Sequence, residues 1–234
     1  MVIVRRDAEI HREDGGWFSA RWHFSFDRYH DPENMGWGAL RVFNDDRLIE
    51  GATWPMHPHR DVEGITYVVE GTFEHADSLS NGGVLPAGSV QRMTLGRGAW
   101  HSESNHSRTE PMRFLQLWIL PDRTDLEPEV EQKIFTLEDR TDRLLCVLNP
   151  DGSGGALKVH RDSSMFISRM NAGLELEHRF AAGRGGYLYL ISGELLLGPE
   201  RLSTGDAAKI AGESSISLHA EDVCELVLVD VSLP

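Results

Sequence analysis

The stretch GITYVVEGTFEH, residues 64–75, decides the fold. It is two short runs rich in β-branched and aromatic side chains, hinged at Gly71, the signature of strands joined by a tight turn. The same pattern returns as GGYLYLISGELLLG (185–198), hinged at Gly193. A second pair follows each: VLPAGSVQRM (84–93) is echoed by RLSTGDAAKI (201–210), aligning Gly88 with Gly205. Gly71 and Gly193 are 122 residues apart and Gly88 and Gly205 are 117 apart, a nearly constant period. RFLQLWIL (113–120) and CELVLVDVSL (224–233) read as further strands bounded by turn residues.

Working outward from these runs, the chain reads as all-β, with two tandem antiparallel β-barrel or jelly-roll domains. The expected division is residues 1–122, an acidic connector at 123–156, and residues 157–234. No long amphipathic helical pattern stands out. The best helix candidate is short, PEVEQKIF (Pro128–Phe135), with proline suited to a first turn. Between Asp122 and Asp142 the chain carries eight acidic and three basic residues, which reads as a solvated surface.

The formal net charge of −14 disfavours nucleic acid, since a duplex repels such a surface unless a basic patch is segregated, and no Lys/Arg run supplies one. The N-terminal MVIVRRDAEIHRED lacks the apolar stretch of a signal peptide, and no segment approaches membrane-spanning length. A cytoplasmic protein with no membrane partner is expected. Cys146 and Cys224 each sit in an apolar run and read as buried free thiols.

Two short motifs carry the chemistry. His57-Pro58-His59 precedes the strand ITYVV, and His101-Ser102-Glu103 follows the glycine-rich turn LGRGAW. Residues two apart on an extended segment face the same side, so each pair can aim at one interior point. One HxH motif alone is weak, because histidines occur in many turns. A second ligand-like pair beyond a strand–turn–strand unit favours metal over coincidence. Together they offer three imidazole nitrogens and one carboxylate, a set suited to a single divalent first-row ion, and octahedral coordination would leave two positions open. Iron, manganese, cobalt, nickel, copper and zinc all accept it. Absence of nearby cysteine argues against a structural zinc cluster. His11, His23, His30, His75, His106 and His160 lack a second ligand at suitable spacing and read as surface or hydrogen-bonded residues. Trp37, Trp54, Trp100 and Trp118 read as core, or as walls of a flat pocket for an aromatic substrate.

In HFSFDRYHDPENMGWGALRVFNDD (23–46), HPHRDVEGITYVVEGTFEHADSLSN (57–81) and PAGSVQRMTLGRGAWHSE (86–103), the sequence resembles the pirin family within the cupins. RFLQLWI and LKVHRD extend the likeness over nearly the whole chain. The resemblance implies a bicupin in which His57, His59, His101 and Glu103 ligate a metal, usually iron. It also implies the activity of bacterial pirin-like proteins described as quercetin 2,3-dioxygenases: a flavonol ring opened by O2, with Glu103 or a neighbour as base, releasing carbon monoxide and a phenolic ester. Glu63 stands where many other cupins place their carboxylate ligand, and is left as a supporting or structural group. The second repeat reads HRFAAG and SLHAED at the matching positions, so it is expected to be metal-free, with His178 and His219 as remnants. Two other readings stand beside the dioxygenase. One is a metal-containing regulator that acts through a protein partner, as eukaryotic pirin is regarded; the other is an isomerase or hydrolase on the same scaffold.

Overall fold

The computed structural model describes residues 1–233. Its N-terminal half pairs a seven-stranded sheet with a four-stranded one. The large sheet runs, in spatial order, Glu129–Ile134, Ser89–Thr94, Glu63–Glu70, Met112–Ile119, Leu40–Leu48, Phe18–Trp22 and His11–Asp14. Facing it are Thr53–His59, Ala99–Asn105, Thr72–Asp77 and Gly82–Pro86. The C-terminal half repeats this plan, with Val2–Arg5, Ala207–Ala211, Arg184–Ser192, Cys224–Ser232, Ser163–Met170, Leu145–Asn149 and Leu157–Lys158 in its large sheet. Its small sheet holds Glu175–Arg179, Ser215–Ala220, Glu194–Leu197 and Glu200–Ser203. Each half is thus the jelly-roll form of the expected bicupin. None of the four sheets, among the described residues, closes into a barrel.

Side-chain parity explains the layers. In Glu63–Glu70, Ile65, Tyr67 and Val69 join one core while Val68 joins another, as the two faces of a strand require. The first core lies between the two large sheets and takes Phe43, Leu115 and Leu117 from one half, and Tyr187, Tyr189 and Val229 from the other. The halves are therefore joined by apolar burial. The sequence repeat is a structural one: Gly71 and Gly193 occupy matching turns at φ +79° and +91°. At Gly193 a Cβ would sit 2.3 Å from the Val223 carbonyl oxygen, so backbone crowding as well as dihedral excludes a side chain.

The helix expected at Pro128–Phe135 is instead the strand Glu129–Ile134, antiparallel to Ser89–Thr94. The reason is Arg92, whose side chain is fully buried and whose Nη2 lies 2.8 Å from Glu129 and 2.9 Å from Glu131. Acidic residues at alternate positions meet it on one strand face, and a buried guanidinium requires such partners. The connecting helix is the single turn Leu137–Arg140, capped by Thr136, whose hydroxyl accepts from the Asp139 N–H.

One edge strand crosses between halves. Val2–Arg5 is hydrogen-bonded to Ala207–Ala211 of the C-terminal sheet, and Glu129–Ile134, from the connector, closes the equivalent edge of the N-terminal one. Among the described residues no helix is long and apolar enough to cross a membrane. Both cysteines are free, Cys224 buried and Cys146 partly so.

Candidate metal centre

Thr53–His59 and Ala99–Asn105 are neighbours in the small N-terminal sheet, with His57 directly opposite His101. The register then slips, so that Glu103 faces Trp54. This bulge, at Pro55–Met56, lets Trp54, His57 and His59 all turn inward although their spacing is three and then two. Proline tolerates the site because a bulge needs no ladder donor there.

The outcome is a cluster. His57, His59 and His101 each offer a ring nitrogen within 4.8 Å of the others, and among the described residues no other group of three or more potential ligands does so. Ring centroids lie 4.5 Å (His57–His101), 4.8 Å (His57–His59) and 5.2 Å (His59–His101) apart. His57 Nδ1 is 2.7 Å from the Pro55 carbonyl oxygen, which can only accept, so Nδ1 carries the proton and Nε2 presents a lone pair. Burial, then the neighbouring imidazoles, lowers His59 to about 4 and His101 to about 2, keeping both neutral. His101 is buried with neither nitrogen hydrogen-bonded to protein. Orphaned buried polar atoms are costly, and a lone pair aimed at two others fits one divalent ion.

Glu103 lies beside this trio, outside the 4.8 Å set. Burial raises its pKa to about 7, only partly opposed by the Gln116 Nε2–H that donates to Oε1 at 2.8 Å. Gln116 is itself fixed: its Oε1 accepts from the Thr66 hydroxyl at 2.7 Å. Oε2 is the Glu103 atom left for a cation, whose charge would pull the carboxyl back down, or for a proton. Beyond the histidines opens a cavity of about 860 Å³ walled by Trp22, Phe26, Trp54 and Trp118. Trp118 meets His59 edge-on at 4.7 Å. The cavity floor is polar, with Asn44, Asp46 and Gln116. Asp46 is pushed well above the usual carboxylate range by burial and then by the Glu103 charge.

Sequence reasoning missed Gln116, Thr66, Asn44 and Asp46, whose signal was a polar side chain at inward parity inside a strand. It also passed over His75, which is buried opposite Glu103, its ring 5.8 Å from His101. Glu63 lies on the other face of its strand: it accepts from Thr94 and is 3.0 Å from His160 Nδ1, between the halves rather than among the histidines. Of the tryptophans, Trp54 and Trp118 line the cavity, Trp37 packs on the inter-half core, and Trp100 is half exposed.

The C-terminal half shows what the fold carries without a site. His178 pairs with Ile216 as His57 pairs with His101, so Phe180 stands for His59 and Leu218 for Glu103. His178 is bonded to Asp230 at 2.9 Å, and His219 lies opposite Glu175 and Leu196.

The two halves match separate family models. The family model described as Pirin matches residues 4–119, and that of the quercetinase C-terminal cupin domain matches 146–231. The chain is 38% identical to a quercetin 2,3-dioxygenase of Escherichia coli K12, covering 99% of each. It is 38% identical to a pirin-like protein of Caulobacter vibrioides, covering 94% of each. Among solved structures, the E. coli bacterial pirin YhhW in complex with nickel(II) superposes with a TM-score of 0.95 at 37% identity, covering 100% of both chains.

Proposed function

Because the chain belongs to the pirin family of cupins, we propose that it is a metal-dependent dioxygenase opening the heterocyclic ring of quercetin-like flavonols with O2. In this reading His57, His59, His101 and Glu103 hold one divalent ion, Fe(II) natively, and the chemistry resides in the N-terminal cupin, whose sheets run from His11 to Ile134 rather than over 1–122. The C-terminal cupin, which takes Val2–Arg5 and begins its own strands at Leu145 rather than 157, has a structural role. The observation that carries the proposal is the convergence of three imidazoles, one of them buried without partners, on an aromatic-walled cavity. The names of the E. coli relative and the nickel complex of YhhW support it.

When bound, the ion supplies Lewis acidity toward a substrate hydroxyl and, as iron, electron exchange with dioxygen. The protein does the rest. Trp22, Phe26 and Trp118 offer faces and edges against which a flat ring system packs. Pro55 holds His57 in one tautomer, and Gln116 turns Glu103 so that Oε2 is free. Glu103, the carboxylate beside the histidines, is the base for the proton of the flavonol hydroxyl. Ring opening by one O2 then releases one carbon monoxide and the phenolic ester.

Oxygen uptake by metal-loaded protein with quercetin tests this. Quercetin loss should require O2 and match it one to one, and His101→Ala should lose activity by more than about 100-fold, since residues that merely orient ligands are worth about 10–100-fold. No oxygen-dependent loss, or equal loss by the variant, overturns the proposal. So does purified protein that binds no metal.

A further inference from the structure

Four positions on the inward face of the large N-terminal sheet are polar; three of their C-terminal counterparts are apolar, and the fourth, Ser168, is itself polar and buried without a partner. Gln116 lies opposite Thr66 on one side and Asn44 on the other. The matching ladder places Leu228 opposite Leu188 and Phe166. One pair further along, Phe114 faces Asp46, and its counterpart Leu226 faces Ser168. Thr66 and Gln116 are accounted for by their bonds to each other and to Glu103. Asn44 and Asp46 are not. They are 2% and 5% exposed, both line the cavity shared with His57, His59 and Glu103, and Asn44 Oδ1 and Asp46 Oδ1 have no protein hydrogen-bond partner. Burying two such groups costs stability, and the sister half keeps phenylalanine at the first position.

We propose that Asn44 and Asp46 form a second polar subsite of the cavity, which takes a hydroxyl group of an aromatic substrate other than the hydroxyl that meets the histidines. A hydroxyl both donates and accepts, so it satisfies either group, and the aromatic residues lining the same cavity define the substrate class as a flat polyphenol. The inference rests on the reading of this cavity as a substrate site. A site built to bond a substrate hydroxyl discriminates strongly against the analogue lacking it, because the protein group is then left unpaired.

The experiment compares quercetin with 3-hydroxyflavone, which keeps the flavonol hydroxyl and lacks the others. Dissociation constants are read anaerobically on metal-loaded protein from tryptophan quenching, with metal content and melting temperature measured in parallel. Wild type should hold quercetin at least about tenfold more tightly. Asn44→Leu and Asp46→Leu, near-isosteric and apolar, should each reduce that ratio to about twofold, with affinity for 3-hydroxyflavone retained. A wild-type ratio near one overturns the subsite, and that measurement needs no variant to fold. A ratio unchanged in both folded variants overturns it as well. If the expected ratios appear in a protein that consumes no oxygen with quercetin, the dioxygenase reading falls while the subsite stands.

Discussion

Gln116 and Arg113 are the polar side chains of an otherwise apolar strand, and the two hydrogen bonds of Gln116 point in a fixed sense: acceptor to Thr66, donor to Glu103. Removing the amide leaves Glu103 buried, without its one neutral donor, and free to rotate. Gln116→Leu is therefore expected to weaken metal affinity by about 10–100-fold, measured by competition with a chromophoric chelator. Its melting temperature should stay near that of wild type, since Leu228 fills the equivalent position in the other half. A variant that binds metal as wild type does would remove Gln116 from the orientation of Glu103. This residue also marks the reach of sequence reading. HPH and HSE announce themselves by spacing alone. Gln116, Asn44, Asp46 and His75 do not, because which way a strand residue faces depends on register against neighbours distant in sequence.

Strands were legible wherever apolar residues clustered between glycines: the hinges at Gly71 and Gly193 join the expected pairs of runs. Glu129–Ile134 was not, since a short segment mixing acids with Val130 and Ile134 suits a helix or an edge strand equally, and the arbiter, Arg92, lies 37 to 39 residues away. Nor does local pattern reveal that Val2–Arg5 is seated on the opposite half. That strand covers the edge at Ala207–Ala211, and Arg5 also bonds the His23 carbonyl. Deleting residues 1–6 should uncover Ala207–Ala211 and lower the melting temperature by about 5–10 °C, a few kcal/mol for a chain of this size. Metal affinity should be unaffected, because no cavity residue lies on this strand. Calorimetry alongside chelator competition measures both, and equal melting temperatures would mean that the crossing strand adds nothing.

At the scale of the molecule, the two halves are joined by an apolar core crossed by buried polar contacts, one of them a knot around Asp45. Arg113 pairs with Asp45 at 2.8 Å, and the Tyr189 hydroxyl of the other half donates to the same carboxylate at 2.6 Å. Burial pushes the Asp45 carboxyl up, but the Arg113 guanidinium and the Tyr189 hydroxyl outweigh it, so it lies below the ordinary range. A carboxyl depressed in the folded state contributes its stability above the unfolded value, about 4, and loses it as pH falls through the folded value. Asp45→Asn should cost about 3 kcal/mol or more at neutral pH by stranding a buried guanidinium. The gap between the two melting curves should narrow below about pH 4, and a gap constant from pH 7 to pH 3 would rule out this carboxylate as its source.

The crossing of Val2–Arg5 also bears on biosynthesis. Its partner strand is encoded some 200 codons later. At about 5–20 residues per second, the early strand waits on the order of 10–40 s before its partner leaves the ribosome. Over that interval Val2 and Val4 are unpaired β-prone side chains on a nascent chain, a natural target for chaperones that bind such segments. The C-terminal sheet gains this outer edge only after Ala207–Ala211 has been made, so the pairing closes a loop of some 200 residues in one step.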